Sequence, residues 1–108
     1  MTRTAVADMI GAIGLPYAYD HFDEDTSLPY ICFLYPDADG LNADNTVYAT
    51  VTSLVVELYA DAIDFDLEDR VAAALNAAEL PFTKSQTWLS SEKMYQTTYT
   101  TEVLLTDV

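Results

Sequence analysis

The segment Val47 to Ala60 constrains the fold most, because it reads as one long strand and so commits the chain to a sheet. Val47, Ala49 and Val51 share one parity, whereas Leu54, Val56 and Leu58 share the other. The inward face therefore switches near Thr52 and Ser53, and a bulge or break is expected there to restore the register. A second long run, Lys93 to Leu105, alternates without interruption. Tyr95, Tyr99, Val103 and Leu105 fall on one face and Gln96, Thr98, Thr100 and Glu102 on the other. Phe82 to Leu89 precedes it, and Ser90 to Glu92 is short enough to be a hairpin link.

Tyr30 to Tyr35 is apolar throughout and bounded by Pro29 and Pro36, which reads as a strand covered on both faces. A short extended piece around Pro16 to Tyr19 precedes it. The stretch Asp37 to Asn45 contains Gly40, Asn42 and Asn45 among three aspartates and is expected to be a turn-rich connection.

Helical signals occur twice. Val6, Met9, Ile10 and Ile13 recur at three- and four-residue spacing, with Gly14 as the stop and Pro16 forbidding continuation. Leu67, Val71, Leu75 and Ala78 mark the buried stripe of a second helix. Its acidic start, Asp61 to Asp69, suits the backbone dipole and reads as a cap and solvated face, and Pro81 ends it. The order α-β-β-β-α-β-β predicts an α+β fold: a two-layer domain, mainly antiparallel, with two helices on one side of the sheet. With 108 residues, no internal repeat and no linker, residues 1–108 form a single domain.

Charge excludes several functions. Eighteen acidic side chains face four basic ones, a formal charge of -14, while 51% of the residues are hydrophobic, too many for a disordered acidic tail. Arg3, Arg70, Lys84 and Lys93 stand singly, so neither a nucleic-acid backbone nor an anionic membrane is a natural partner. No apolar stretch approaches the roughly 20 residues of a membrane span, and Met1 to Ile13 lacks a signal-peptide core. The product is expected to be soluble and to remain in the cell that makes it. Cys32 is alone, which fits a reducing compartment.

No catalytic, metal or cofactor-binding motif emerges. Gly11, Gly14 and Gly40 do not form a phosphate loop, and His21, the single histidine, sits among Asp20, Asp23, Glu24 and Asp25 in a loop. An enzyme built on His21 would need a concave pocket there. Cys32, mid-strand, reads as a buried apolar residue. The carboxylates from Asp37 resemble the start of a calcium loop, but the register fails: Asn42 and Tyr48 stand where Gly and Glu are required. The default is a hydrated loop, with a weak cation site as the alternative. Eight tyrosines, all in or beside extended segments, exceed what one small core can hide and point to subunit contacts.

Several segments together carry a resemblance: Gly14 to Phe22 (Gly-Leu-Pro-Tyr-Ala-Tyr-Asp-His-Phe), Leu28 to Pro36 (Leu-Pro-Tyr-Ile-Cys-Phe-Leu-Tyr-Pro), Asn42 to Tyr48, Leu54 to Tyr59, Asp66 to Arg70 and Ser91 to Tyr95, followed by Tyr99, Glu102 and Val103. Over nearly the whole chain the sequence resembles small head-to-tail morphogenesis proteins of long-tailed phages and Gram-positive-type prophages, the tail terminator or tail completion family. The resemblance implies a two-layer α+β, non-enzymatic subunit without cofactor. It would form a homo-oligomer, usually a hexameric ring, on the head-proximal end of the tail tube, stopping polymerisation and docking the head-tail connector protein. Localisation would be the virion, at the head-tail interface, after assembly in the host cytoplasm. The family brings no catalytic residues, so interface candidates are nominated from this sequence: Asp37, Asp39, Asn42 and Asp44 in a loop projecting towards the lumen or tube, and Tyr48 and Tyr59 as inter-subunit anchors. Acidic loops around a ring axis would repel DNA passing through, without specific binding. The rival readings are an acidic DNA-mimic inhibitor of a host nucleic-acid-binding protein, a small enzyme around His21, and the neighbouring head-tail joining protein.

Overall fold

Strand alternation and two amphipathic helices build a six-stranded sheet with one face covered. The computed structural model describes the backbone of residues 1–43 and 46–107, and the side chains of those outside 40–48. In chain order the elements are α1 (Arg3–Gly11), β1 (Tyr17–Tyr19), β2 (Tyr30–Leu34), β3 (Ala38–Ala43), β4 (Thr46–Ala60), α2 (Phe65–Ala77), β5 (Thr83–Leu89) and β6 (Met94–Leu105). The sheet runs β1-β2-β4-β6-β5, with β3 also paired to β4; β1 and β2 are parallel and the other pairs antiparallel. This is the expected α+β class with one extra strand.

The helices start and stop where local chemistry dictates. Thr2 Oγ1 accepts from the Ala5 amide at 3.1 Å, and Asp64 Oδ1 accepts from the Leu67 amide at 3.1 Å, so each helix has a side-chain N-cap. Beyond α1 the chain turns at Gly14, whose φ of 94° suits glycine. Beyond α2 it turns at Glu79, φ 58°, with the Leu80 amide donating to the Leu75 carbonyl and the Glu79 amide to the Asn76 carbonyl. That is a Schellman closure without its usual glycine.

Both helices pack on one face. Val6, Ile10 and Ile13 join Leu67, Val71 and Leu75 over Ile31, Phe33, Leu54, Val56, Leu58, Tyr99, Val103 and Leu105, all buried. Full burial of each large side chain contributes about 1.5–3 kcal/mol. Tyr99, wholly inaccessible, donates its hydroxyl to the Glu68 carbonyl at 2.7 Å.

Three expectations need correction. The stretch from Asp37 is not all turn: Ala38–Ala43 is β3, although Asp, Gly and Asn are poor strand formers. Tertiary context overrides propensity, because β2 pairs only as far as Val55 and leaves the same edge of β4 open, where β3 pairs from Thr52 to Thr46. The register irregularity also lies elsewhere. Pairing of β4 with β6 is continuous from Thr50 to Ala60, and the shift falls between Leu41 and Asn42, opposite the step from Ala49 to Val47. No break is needed near Thr52, since Thr52 itself is the inward residue and its hydroxyl donates to the Thr50 carbonyl at 3.3 Å.

The acidic start of α2 is not wholly solvated either. Glu68 is buried, its carboxylate 2.7 Å from Lys84 Nζ and 3.1 Å from Gln86 Nε2, and Gln86 also donates to Thr97 Oγ1 at 2.9 Å. The network ties α2 to β5 and β6.

Candidate interaction surfaces

Because side chains alternate, the residues between the core positions of β4 and β6 form a second face that no helix covers. Val55, Glu57 and Tyr59 lie opposite Thr100, Thr98 and Gln96 there. Gln96 Nε2 donates to Glu57 Oε2 at 3.0 Å and to the Tyr59 hydroxyl at 2.9 Å, and that hydroxyl donates to Glu57 Oε1 at 3.3 Å. Tyr59 packs on Tyr30 with ring centroids 5.2 Å apart, and Phe22 meets Tyr30 edge-on at 5.0 Å. Partial burial pushes the Tyr59 phenol up to about 12 and holds the Glu57 carboxyl above its ordinary range. Tyr59 is thus half-buried, with its hydroxyl engaged inside the subunit.

Phe22 brings the β1–β2 connection against this face, so Cys32 is buried and β2 is covered on both sides, as its apolar run implies. Burial raises the Cys32 thiol to about 11, which leaves it protonated and unreactive at neutral pH. Beside it runs an open groove of about 530 Å³ lined by His21, Phe22, Leu28, Tyr30, Leu89 and Met94, among others. A concavity therefore does exist at His21. The imidazole, however, is exposed, with Nδ1 2.9 Å from Asp20 and Nε2 3.3 Å from Asp23. The hydrogen bond and charge of Asp20, aided by Asp23, raise its pKa. Among the described residues no group of three His, Cys, Asp or Glu side chains is placed to hold a metal ion.

Of the nominated residues, Asp37 lies at the base of the β3–β4 arm, and Asp39, Asn42 and Tyr48 lie on its two strands. Here β4 extends beyond its last partner on β6, the Thr50–Leu105 pair, with β3 on its other edge. Asp37 anchors the base of the arm: its carboxylate accepts from Ser53 Oγ at 3.1 Å and its carbonyl from the Ser53 amide at 2.9 Å. Asp39 is exposed and pairs with Val51. Asn42 pairs with Val47, and Tyr48 falls at the register shift. The side chains of Asn42 and Tyr48, and all of Asp44, lie outside the described residues. The arm and the Tyr59 cluster are separate stretches of β4.

Other large apolar side chains are more exposed than Tyr59. Phe65 is 71% accessible, Tyr19 52%, Ile63 48% and Trp88 46%. Of these, the sequence singles out only the tyrosine. The available signal is that Phe65, two residues before Leu67, falls off the Leu67-Val71-Leu75 stripe, and that Ile63, though in step with it, precedes the Asp64 cap and so lies outside the helix.

Compared by sequence, the chain matches no protein-family model and no curated protein. Compared by fold, it is similar to a chain of a solved structure described as the virion of a native gene transfer agent particle. The TM-score is 0.62 at 16% sequence identity, covering 94% of this chain and 87% of that one. The likeness is one of fold, and it spans nearly the whole domain. Among the described residues no helix is long and apolar enough to cross a membrane.

Proposed function

We propose that this chain is a structural subunit of a phage-type virion, and within it a tail terminator. A ring of copies would cap the head-proximal end of the tail tube, stop its polymerisation and offer a docking face to the head-tail connector protein. The observation that carries the first part is the fold shared with a virion chain across almost the full length. The finer role rests on the sequence resemblance to tail terminators. The physical features agree with it: a sheet with one helix-free face, a two-stranded arm, and a formal charge of -14.

In this reading the role is non-enzymatic and needs no cofactor. The arm from Asp37 through Asp39, Asn42 and Asp44 points to the lumen or tube, and Tyr48 and the Tyr59 cluster belong to subunit contacts. DNA passes through without specific binding, since like charge on a lumen wall repels it. The protein assembles in the host cytoplasm and ends in the virion at the head-tail interface.

The test is light-scattering mass across protein concentration, with electron micrographs of the protein alone and mixed with short tail tubes. Closed rings, free or at tube tips, are expected. A strict monomer that leaves tube ends bare in both settings would overturn the reading.

A further inference from the structure

The end of the sheet where β4 runs into α2 carries three exposed large apolar side chains, among them Phe65, the most exposed of the described residues of this kind. Phe65 and Ile63 are exposed, and Phe65 opens α2 pointing away from the stripe that holds the helix to the sheet. Trp88, also exposed, pairs with Tyr95, and Tyr95 pairs with Ala60 at the terminus of β4, so Trp88 lies at the same end. Tryptophan and phenylalanine left in water at one end of a small domain mark an interaction site, because each offers large apolar area at low cost in side-chain entropy.

Charge decides the occupant. Asp61, Asp64 and Asp66 flank Ile63 and Phe65, and with them line a shallow groove of about 390 Å³. Asp64 is committed to the helix cap, whereas Asp61 and Asp66 are exposed and have no hydrogen bond or ion pair among the described residues. A second copy of this chain is a poor match. Arg3 is engaged by Asp107, Lys84 by Glu68 and Arg70 by the Ile13 carbonyl, which leaves Lys93 as the one cation without such a partner among the described residues. One lysine cannot edge an apolar patch of this kind, and copies meeting face to face would set carboxylate against carboxylate.

We infer that Phe65, Ile63 and Trp88 form a docking knuckle for a different protein, one that presents an apolar surface edged by arginine or lysine. The knuckle is separate from the arm and the Tyr59 cluster, so this assignment stands whether or not those surfaces close a ring. Aromatic anchors supply the affinity, and Asp61 and Asp66 supply steering and orientation.

The probe is a synthetic helix-forming peptide with a leucine stripe flanked by arginines, titrated into isotope-labelled protein and followed by amide chemical shifts. Shifts centred on Ile63, Phe65 and Trp88 are expected. Phe65→Ser should weaken the affinity by about tenfold, as for an interface anchor, while Asp61→Asn with Asp66→Asn should weaken it several-fold and reduce its salt sensitivity. Phe65 is too exposed for the serine variant to unfold the chain, and an unchanged melting temperature serves as the control. The inference is overturned if Phe65→Ser leaves peptide affinity unaltered, if a peptide with serine in place of leucine binds equally well, or if Phe65→Ser dissolves an oligomer of this chain, which would make a second copy the occupant. Ring formation by light scattering is scored separately and belongs to the terminator reading.

Discussion

The two faces of the β4–β6 pair are made by alternate residues of the same two strands, yet they do different work. On one, Leu54, Val56 and Leu58 meet Thr101, Tyr99 and Thr97 under two helices, and every one of them is buried. On the other, Val55, Glu57 and Tyr59 meet Thr100, Thr98 and Gln96 with partial cover from the β1–β2 connection. Moving one residue along the strand exchanges a fully buried position for one that is only partly covered. Substitutions on the two faces should therefore differ in their cost to stability.

The largest effect that tests this division is Tyr99→Ala. Loss of a wholly buried ring and its bond to the Glu68 carbonyl is expected to cost about 4 kcal/mol, read as the free energy of chemical unfolding; a cost below about 1 kcal/mol would mean that the covered face is not the seat of stability. Next is Lys84→Met, which leaves the buried Glu68 carboxylate with Gln86 but without its ion pair. The expected cost is about 2 kcal/mol, below that of a fully buried pair because Lys84 is partly exposed. Tyr59→Phe, on the open face, removes two hydrogen bonds from a half-buried hydroxyl and should cost about 1 kcal/mol, with no loss of secondary structure by circular dichroism. The smallest effect should come from Glu57→Gln. Burial raises this carboxyl, so the folded state favours the protonated form. That contribution is fully present below the ordinary glutamate value and is lost as pH rises through the folded pKa. Glutamine keeps an acceptor without the charge, so at neutral pH the variant should be as stable as the parent or slightly more so, and its melting temperature should fall less between pH 4 and 7. A steeper fall would show that the ionised carboxylate is favoured by the fold.

Much of the covered face could be read in advance, and the reason is periodicity. Leu67, Val71 and Leu75, or Tyr99, Val103 and Leu105, repeat at the spacing of their element, and burial follows from the repeat. β3 left no such trace, because what makes Ala38–Ala43 a strand is the vacant edge of β4, a property of a distant segment. Glu68 was hidden for the same reason: an acid in the first turns of a helix looks solvated until Lys84 and Gln86, brought from β5, are seen beside it. Among the candidate surfaces, the tyrosine excess does not say which rings stay exposed. Tyr59 folds back on its own subunit, whereas Tyr19 stays exposed, and Phe65 and Trp88, which carry no periodic signal, are also among the side chains left outside.

Cys32 gives these surfaces an experimental handle. As the single thiol, buried in β2 and raised to about 11, it should stay silent towards alkylating reagents while the native state persists. A cysteine introduced at Asp39 or Phe65 would then be the one site that accepts a fluorophore or cross-linker, so arm and knuckle can be tagged individually without deleting the native residue. Slow modification of Cys32 itself would report how often the β1–β2 connection lifts away from the sheet, turning a chemically inert side chain into a clock for local opening.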